Sequence, residues 1–339
     1  MKVAVTGAAG FLGLNLVTAL LEDGHDVLAL DRLSPDQLAG TIAAGQHGAG
    51  TLRWESVDVL DEDAVAKALD GIEVVHHLVA VISLRQEDPV AERVNIHGVG
   101  SVARAALRAG VRRMVNCGSL ASFDYDKHGT VHEGSARSTD PRLPVYHRSK
   151  YYGEVELLKV VDAGLDAVTC NPTGIYGPVD HPDRLSRMNV GLLDAAAGRL
   201  PASVPGMFDM VDVRDVAKGF LLAAEKGRTG HNYLIGGHRY DLFEAQVRAA
   251  EYAGRKGPRI KIPLGLLAGL APVIDPVARR FGSESFAPAA LENLVMSPVV
   301  DRTKAGAELG YEPRPTEETI RDLVAFFVAS GLLDTEAAR

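Results

Sequence analysis

Cysteine is scarce in this chain of 339 residues, which contains only Cys117 and Cys170. Both cysteines lie in apolar runs, so we expect buried free thiols and neither a disulfide nor a metal ligand. This low content suits a reducing compartment, and we expect a cytoplasmic protein. The first apolar strand begins at Lys2, so we expect no signal peptide.

Long apolar runs and an excess of positive charge are also absent. The most apolar late stretch, residues 262–278, holds three prolines and Asp275, so it is too short and too broken to cross a bilayer. The formal net charge of −8 gives no support for binding nucleic acid or an anionic membrane. The composition, 46% hydrophobic and 24% charged, is that of a soluble protein with one large or two small domains.

Glycine is placed at regular intervals near the start of the chain. A short apolar strand, residues 2–5, leads into Gly7, Gly10 and Gly13, and a helical pattern then covers residues 14–21. Residues without Cβ permit a tight turn and a close approach to a pyrophosphate, and the third glycine lets the helix pack on the strand. The free N–H groups of the helix N-terminus then face the phosphates. This pattern predicts a dinucleotide-binding turn.

A second predicted strand, residues 26–30, ends in Asp31. A carboxylate there accepts hydrogen bonds from the adenosine ribose hydroxyls and repels a 2′-phosphate, which favours NAD. Arg32 follows directly and could attract a 2′-phosphate, so NADP remains open. A turn residue is the alternative interpretation of Asp31.

A third predicted strand, residues 52–57, is followed by Asp58 and Val59. Asp58 can reach an adenine amino group, and Val59 can flank the ring. Asp61 is expected to cap the next helix.

The fourth predicted strand, residues 74–80, is apolar around His76 and His77. A continuous apolar run is typical of a parallel strand covered on both faces. No Asp, Glu or Cys lies near these histidines at ligand spacing, so we predict no metal site.

Tyr146 and Lys150 lie four residues apart at the start of a helical pattern that extends to residue 160. Positions i and i+4 share one helix face, so the ammonium can stabilise the phenolate beside it. Such a tyrosine can exchange a proton with a substrate oxygen near neutral pH. The same pair also occurs on ordinary solvated helix faces.

Ser119 follows the fifth predicted strand, residues 112–117, at the strand end that faces the ligand crevice of an open α/β sheet. From there its hydroxyl could donate to the substrate oxygen that Tyr146 protonates. Ser119 could instead be a turn serine, and Ser122 is the reserve candidate.

The ordered set of these motifs, with Asn171–Pro172 and residues 211–217 after them, resembles the extended short-chain dehydrogenase/reductases, the NAD-dependent epimerase/dehydratase group. The later segments look most like its dihydroflavonol-reductase-like branch. The resemblance implies an α/β fold, a Rossmann-type doubly wound parallel sheet with a smaller, mostly helical C-terminal substrate domain. It places residues 1–173 and about 207–232 in the nucleotide-binding domain, and 174–206 and 233–339 in the substrate domain.

The resemblance also implies the site and the assembly. The catalytic set would be Ser119, Tyr146 and Lys150, and a homodimer would form through the helices near residues 95–109 and 146–160. The implied contacts to NAD, or to NADP, come from Gly7, Gly10, Phe11, Leu12, Gly13, Asp31, Arg32, Asp58, Val59, Leu78, Ala80, Asn95, Tyr146, Lys150, Pro172 and Thr173. The usual His-x-Ala-Ala motif here has Val79 at its third position, which is bulkier and is expected to shift the cofactor slightly.

The expected function is an NAD(P)-dependent interconversion of a ketone or aldehyde and an alcohol on a bulky, largely apolar small molecule. A nucleotide-sugar epimerase or dehydratase with the same residues is the alternative, and a non-catalytic dinucleotide-binding protein is a third hypothesis. Phe208 occupies the position where nucleotide-sugar enzymes of the group carry a diphosphate-binding arginine, which disfavours the alternative. It stays open because nearby arginines could compensate: Arg184, Arg187 and Arg199.

Overall fold

The computed structural model describes residues 1–33, 50–126, 129–263 and 297–334. The sequence also predicts a connection over 33–50 and apolar helices over 262–281 and 288–296, and these segments lie largely outside the described ranges.

The largest element is a sheet of seven parallel strands: β1 (Lys2–Thr6), β2 (Asp26–Asp31), β3 (Leu52–Ser56), β4 (Val74–His77), β5 (Arg113–Cys117), β7 (Ala167–Pro172) and β11 (Asn232–Ile235). Their order across the sheet is β3-β2-β1-β4-β5-β7-β11. The strand order reverses between β1 and β4, and in open α/β sheets the crevice at such a point binds the ligand.

Helices cover both faces of this sheet, which is why its central strands are apolar along their whole length. Helices α1 (Phe11–Glu22) and α7 (Val213–Lys226) pack on one face. The opposite face is covered by α2 (Glu62–Ala68), α4 (Val99–Arg108) and α5 (Val145–Asp162). The expected Rossmann-type architecture is confirmed.

A smaller unit contains a three-stranded sheet of β8 (Gly174–Tyr176), β10 (Met207–Asp212) and β12 (His238–Asp241). Strand β10 pairs parallel with β8 and antiparallel with β12. Three helices pack around its apolar core: α6 (Arg187–Ala196), α8 (Leu242–Tyr252) and α9 (Thr316–Ala329). Two short parallel pairs complete the described strands: β6 (Thr130–Val131) with β14 (Val299–Val300), and β9 (Ala202–Ser203) with β13 (Ile260–Lys261).

The sequence pattern predicts a long helix over residues 94–109, but the helix of the structure has an earlier start and an irregular middle. It begins with α3 (Pro89–Glu92), capped by the Asp88 carboxylate, and passes through a π-helical stretch, Arg93–Gly98, into α4. The π-helical stretch lies close against α5: a Cβ added at Gly153 on α5 would be only 2.2 Å from the Asn95 carbonyl oxygen. We attribute the irregular π-helical stretch to this close contact with α5, which the helical periodicity of the sequence does not predict.

Two local predictions have different outcomes. Strand β4 ends at His77 and not at residue 80, because the loop that follows turns to pair with the side chain of Asn95 at Val81. Asp61 caps α2 as expected, with its Oδ1 accepting from the Ala64 N–H at 3.0 Å. No helix within the described ranges is both long and apolar enough to span a membrane.

Candidate active site

The glycine-rich turn lies at the reversal point of the sheet, and a side chain at Gly7 or Gly13 would have no room there. Gly7 has φ +73°, and a Cβ there would be 3.0 Å from the Val79 nitrogen in the segment after β4. A Cβ at Gly13 would be 2.2 Å from the Gly7 carbonyl oxygen. Both glycines are therefore required by close backbone approach, as the sequence pattern predicts.

The first turn of α1 presents unpaired N–H groups to this crevice. Gly10 precedes the helix without a side-chain cap, and the first turn holds no acidic residue. The N–H groups of Phe11, Leu12 and Gly13 therefore have no partner within the helix. Together with the positive end of the helix dipole they fit a dinucleotide pyrophosphate.

Asp31 ends β2 beside the same turn. Its Oδ2 accepts from the Ala9 N–H at 3.0 Å and its Oδ1 from the Leu33 N–H at 3.2 Å. Each carboxylate oxygen can accept a further hydrogen bond, so the pair of oxygens suits ribose hydroxyls. The Arg32 side chain is 75% exposed, and its Nε is 4.0 Å from Asp58 Oδ2.

A cleft of about 260 Å³ opens beside Asp31. Of the predicted contacts, Gly7, Gly10, Asp31, Arg32, Val59, Leu78 and Ala80 line it. Asp58 is not among the lining residues, and its Oδ1 accepts from the Leu60 N–H at 3.0 Å. The apolar walls formed by Val59, Leu78 and Ala80 suit the flat face of an adenine ring.

Lys150 is buried at the carboxyl end of β5. The residue is 6% exposed, and its Nζ donates to the Cys117 carbonyl oxygen at 2.7 Å. The Nζ lies 6.0 Å from the centre of the half-buried Tyr146 ring. No carboxylate of the described residues forms an ion pair with this ammonium, so its charge acts on the groups around it.

One such group is His77, whose Nδ1 is 2.7 Å from the Thr6 hydroxyl. Burial, and after it the charge of Lys150, lower the pKa of His77 to about 3. The imidazole is therefore neutral at physiological pH.

Ser119 lies directly beyond β5 with its hydroxyl available as a donor. Its Oγ accepts from the Ala121 N–H at 3.1 Å, which leaves the hydroxyl proton free. Its backbone N–H donates to Asn171 Oδ1 at 3.0 Å. A Cβ at Gly118 would be 2.0 Å from that same Oδ1, so the glycine is needed for this contact. Asn171, quoted above only as part of a motif, therefore positions the turn that carries Ser119.

Ser122, the reserve candidate, is fully buried and committed elsewhere. Its Oγ donates to the Ser119 carbonyl oxygen at 2.8 Å and accepts from Arg137 at 3.0 Å. Ser119 is therefore the better placed of the two serines.

An ion pair joins this serine turn to the helix that carries Tyr146 and Lys150. Arg137 donates to both carboxylate oxygens of Glu154 on α5 at 2.7 Å, and its guanidinium stacks 4.1 Å from the Phe123 ring centre. Burial raises the pKa of Glu154, and the charge of Arg137 opposes that shift. The pair fixes the serine turn relative to α5. Sequence reasoning missed it, because the spacing of 17 residues corresponds to no helix or strand repeat.

The other predicted contacts are occupied by protein partners. Asn95 pairs through Oδ1 and Nδ2 with the Val81 N–H and carbonyl, and Nδ2 also donates to Ser149 Oγ at 2.9 Å. Asn95 thereby holds the loop after β4 against α5. Pro172 ends β7, and the Thr173 hydroxyl donates to the buried Asp209 at 2.7 Å.

A parallel sheet whose order reverses at a glycine-rich turn, with a tyrosine and a buried lysine on a nearby helix, defines the class of dinucleotide-dependent α/β oxidoreductases.

The comparisons with known proteins narrow this class to a family. The family model described as the NAD dependent epimerase/dehydratase family matches residues 3–236, and the chain belongs to that family. It is 34% identical over 337 residues to sterol demethylase protein B of Methylococcus capsulatus, covering 98% of this chain and 100% of that protein. It is 31% identical to a putative dihydroflavonol 4-reductase of Synechocystis, covering 98% and 96%. The crystal structure of gox2253 matches with a TM-score of 0.81 at 30% identity, covering 98% and 99%.

The protein is therefore an NAD(P)-dependent enzyme of the extended short-chain dehydrogenase/reductase type that acts on a small molecule. The family and the NAD(P) cofactor expected from the sequence are both confirmed.

Proposed function

We propose that this enzyme reversibly interconverts a ketone or aldehyde and an alcohol on a bulky, largely apolar substrate, with NAD as the preferred cofactor. One observation carries the proposal. The buried Lys150 ammonium is one helical turn from Tyr146, and the Cys117 carbonyl that holds it lies two residues before Ser119.

The proposed roles follow from the chemistry of each side chain. When bound, the nicotinamide exchanges a hydride with the substrate carbon. Tyr146 donates a proton to the substrate oxygen during reduction and removes it during oxidation. Lys150 places its positive charge on the helix face that carries Tyr146, and Ser119 donates a hydrogen bond to the substrate carbonyl.

The apolar substrate class is supported by the residues of the smaller unit. Phe208 on β10 is partly buried with Leu185, Met188 and Tyr240 against the apolar core of that unit. An aromatic ring at position 208 supplies no charge-assisted bond for a diphosphate. The names of two relatives refer to a sterol and to a dihydroflavonol, which are multi-ring, largely apolar molecules.

A panel of apolar ketones, aldehydes, alcohols and nucleotide sugars tests the proposal, with NAD(H) and NADP(H) followed by absorbance of the reduced cofactor. We expect stoichiometric cofactor turnover with multi-ring ketones or alcohols and a preference for NAD. Conversion of a nucleotide sugar without net change in the cofactor would refute the proposal and support an epimerase.

We also propose a homodimer formed by α4 and α5. These helices pack side by side and expose Leu107, Tyr152 and Leu158, an apolar set that a second copy would cover. Light scattering should give twice the mass of the 339-residue chain, and a monomer at micromolar concentration would contradict the proposal.

A cytoplasmic location is supported by Cys117 and Cys170, which are both free thiols.

For the domain organisation we propose the two units expected from the resemblance, with a modified boundary. Strand β11 pairs with β7 in the large sheet, so we assign it to the nucleotide-binding unit. Strand β10 pairs with β8 and β12 in the small sheet, so we assign it to the smaller unit.

A further inference from the structure

The glycine-rich turn is held from two sides through a single residue, Ala9. Its N–H donates to Asp31, as described above, and its carbonyl oxygen accepts from His181 Nε2 at 2.7 Å and from an Arg184 terminal nitrogen at 3.1 Å. A carbonyl oxygen only accepts, so His181 carries its proton on Nε2. The Arg184 nitrogen also lies 3.3 Å from that Nε2. Two side chains from beyond β8 thus reach the cofactor turn.

The segment that carries these two side chains, residues 178–186, is anchored at both ends. Asp180 accepts from the Ser186 N–H at 2.7 Å and from the Asn189 amide at 2.8 Å. Asn15 on α1 donates to the Val179 carbonyl at 3.0 Å. Val179 has φ +59°, a left-handed conformation that a β-branched residue rarely adopts. The contacts around the segment therefore impose its path over the turn.

The path of this segment places the positively charged side chain of Arg184 at the cleft. Its side chain lines the cleft of about 260 Å³ together with Gly7 and Gly10, next to the free N–H groups of α1. No carboxylate of the described residues forms an ion pair with Arg184. Among the described residues, one Arg184 nitrogen donates to the protein backbone, so the remaining N–H groups are available to a ligand.

We propose that Arg184 binds the pyrophosphate of the cofactor, opposite the N-terminus of α1. The pyrophosphate is the anionic group that this turn suits, and a guanidinium offers it paired N–H donors. The Asp31 carboxylate at the same cleft disfavours a 2′-phosphate as the occupant. The cofactor would then join the nucleotide-binding unit to a segment of the smaller unit. This inference rests on the cofactor assignment and not on the identity of the substrate.

Ligand titrations of Arg184→Ala test this directly, without measuring turnover. The only tryptophan, Trp54, donates to the carbonyl of Leu33, which lines the cleft, so its fluorescence should report binding. Loss of a charged hydrogen-bond partner should weaken NAD and ADP-ribose binding about 10- to 100-fold. Adenosine, which lacks phosphate, should bind as to the wild type. Arg184→Lys keeps the charge without the paired donors and should lie between.

The matched control is Arg187→Ala, an exposed arginine three residues further along that does not line the cleft. It should change the NAD affinity less than twofold, and thermal unfolding of both ligand-free variants should match the wild type. An unchanged NAD affinity in Arg184→Ala would overturn the inference. A loss of affinity confined to NADP would also overturn it, because Arg184 would then contact the 2′-phosphate and not the pyrophosphate. Absence of any dinucleotide binding by the wild-type protein would overturn the cofactor assignment as well.

Discussion

Removing the guanidinium of Arg137 should destabilise the protein strongly, because Glu154 would remain buried without its cation. Glu154 is 4% exposed, and both of its oxygens accept from Arg137 alone among the described residues. Breaking a buried pair by removing one partner costs about 3–5 kcal/mol. Arg137→Ala should therefore lower the unfolding free energy by about that amount, measured by urea denaturation.

The pH dependence of this loss follows from the carboxyl group. Burial already raises the pKa of Glu154, and removing Arg137 takes away the charge that opposes the shift. A carboxyl whose folded pKa lies above its unfolded value is destabilising once ionised, so the deficit grows as the pH rises through the folded pKa. The deficit of Arg137→Ala should be clearly larger at pH 8 than at pH 5.

Two further variants make this reasoning refutable. Adding Glu154→Gln to Arg137→Ala removes the unpaired charge and should restore a large part of the lost stability, with the pH dependence gone. Arg142→Ala breaks a similar arginine–carboxylate pair with Asp140 on the surface, and should have little effect. If Arg137→Ala is no more destabilising than Arg142→Ala, or if the double variant is as unstable as the single one, Glu154 is not held as an ionised partner of Arg137.

Three other predictions address the site and the sheet. Tyr146→Phe should lower turnover at least about 10²-fold while the NAD dissociation constant stays within threefold; retained turnover in a cofactor absorbance assay would exclude Tyr146 as the proton donor. Gly13→Ala should weaken NAD binding more than tenfold in calorimetry, because its Cβ would be 2.2 Å from a backbone oxygen of the turn, whereas Gly191→Ala, whose nearest neighbour would be 3.8 Å away, should not. Burial lowers the pKa values of His76 and His77 to about 3, so both imidazoles add stability above pH 6.5 that is lost as the pH falls towards 3, by about 1.4 kcal/mol per pH unit each. His76→Leu should reduce that acid slope in denaturation experiments, and an unchanged slope would contradict a neutral, buried His76.

Local patterns in the sequence predicted the nucleotide-binding turn because its requirements are local. A Cβ at Gly10 or Gly13 would meet the Gly7 carbonyl oxygen within a few residues, whereas the close contact of Gly7 itself is with the backbone of the distant Val79. Tyr146 and Lys150 are likewise four residues apart on one helix, so helical geometry already places them together. The doubly wound parallel arrangement of the strands was implied by the family resemblance, since apolar runs indicate strands and not their neighbours.

The positioning of the site depended on contacts between distant residues. Asn171 reaches Ser119 across 52 residues, and His181 reaches Ala9 across 172. No periodicity relates such positions, because the fold alone decides which chain segments meet.

The sequence by itself therefore determined the Rossmann-type fold, the dinucleotide turn and the Tyr146–Lys150 pair, whose geometry is set within one turn or one helix. Only the tertiary structure decided that Ser119 is available as a donor while Ser122 is occupied by Arg137, and that Arg184 reaches the cofactor cleft. The physical reason is that hydrogen-bond partners and burial belong to the packed fold, and residues far apart in the chain supply them.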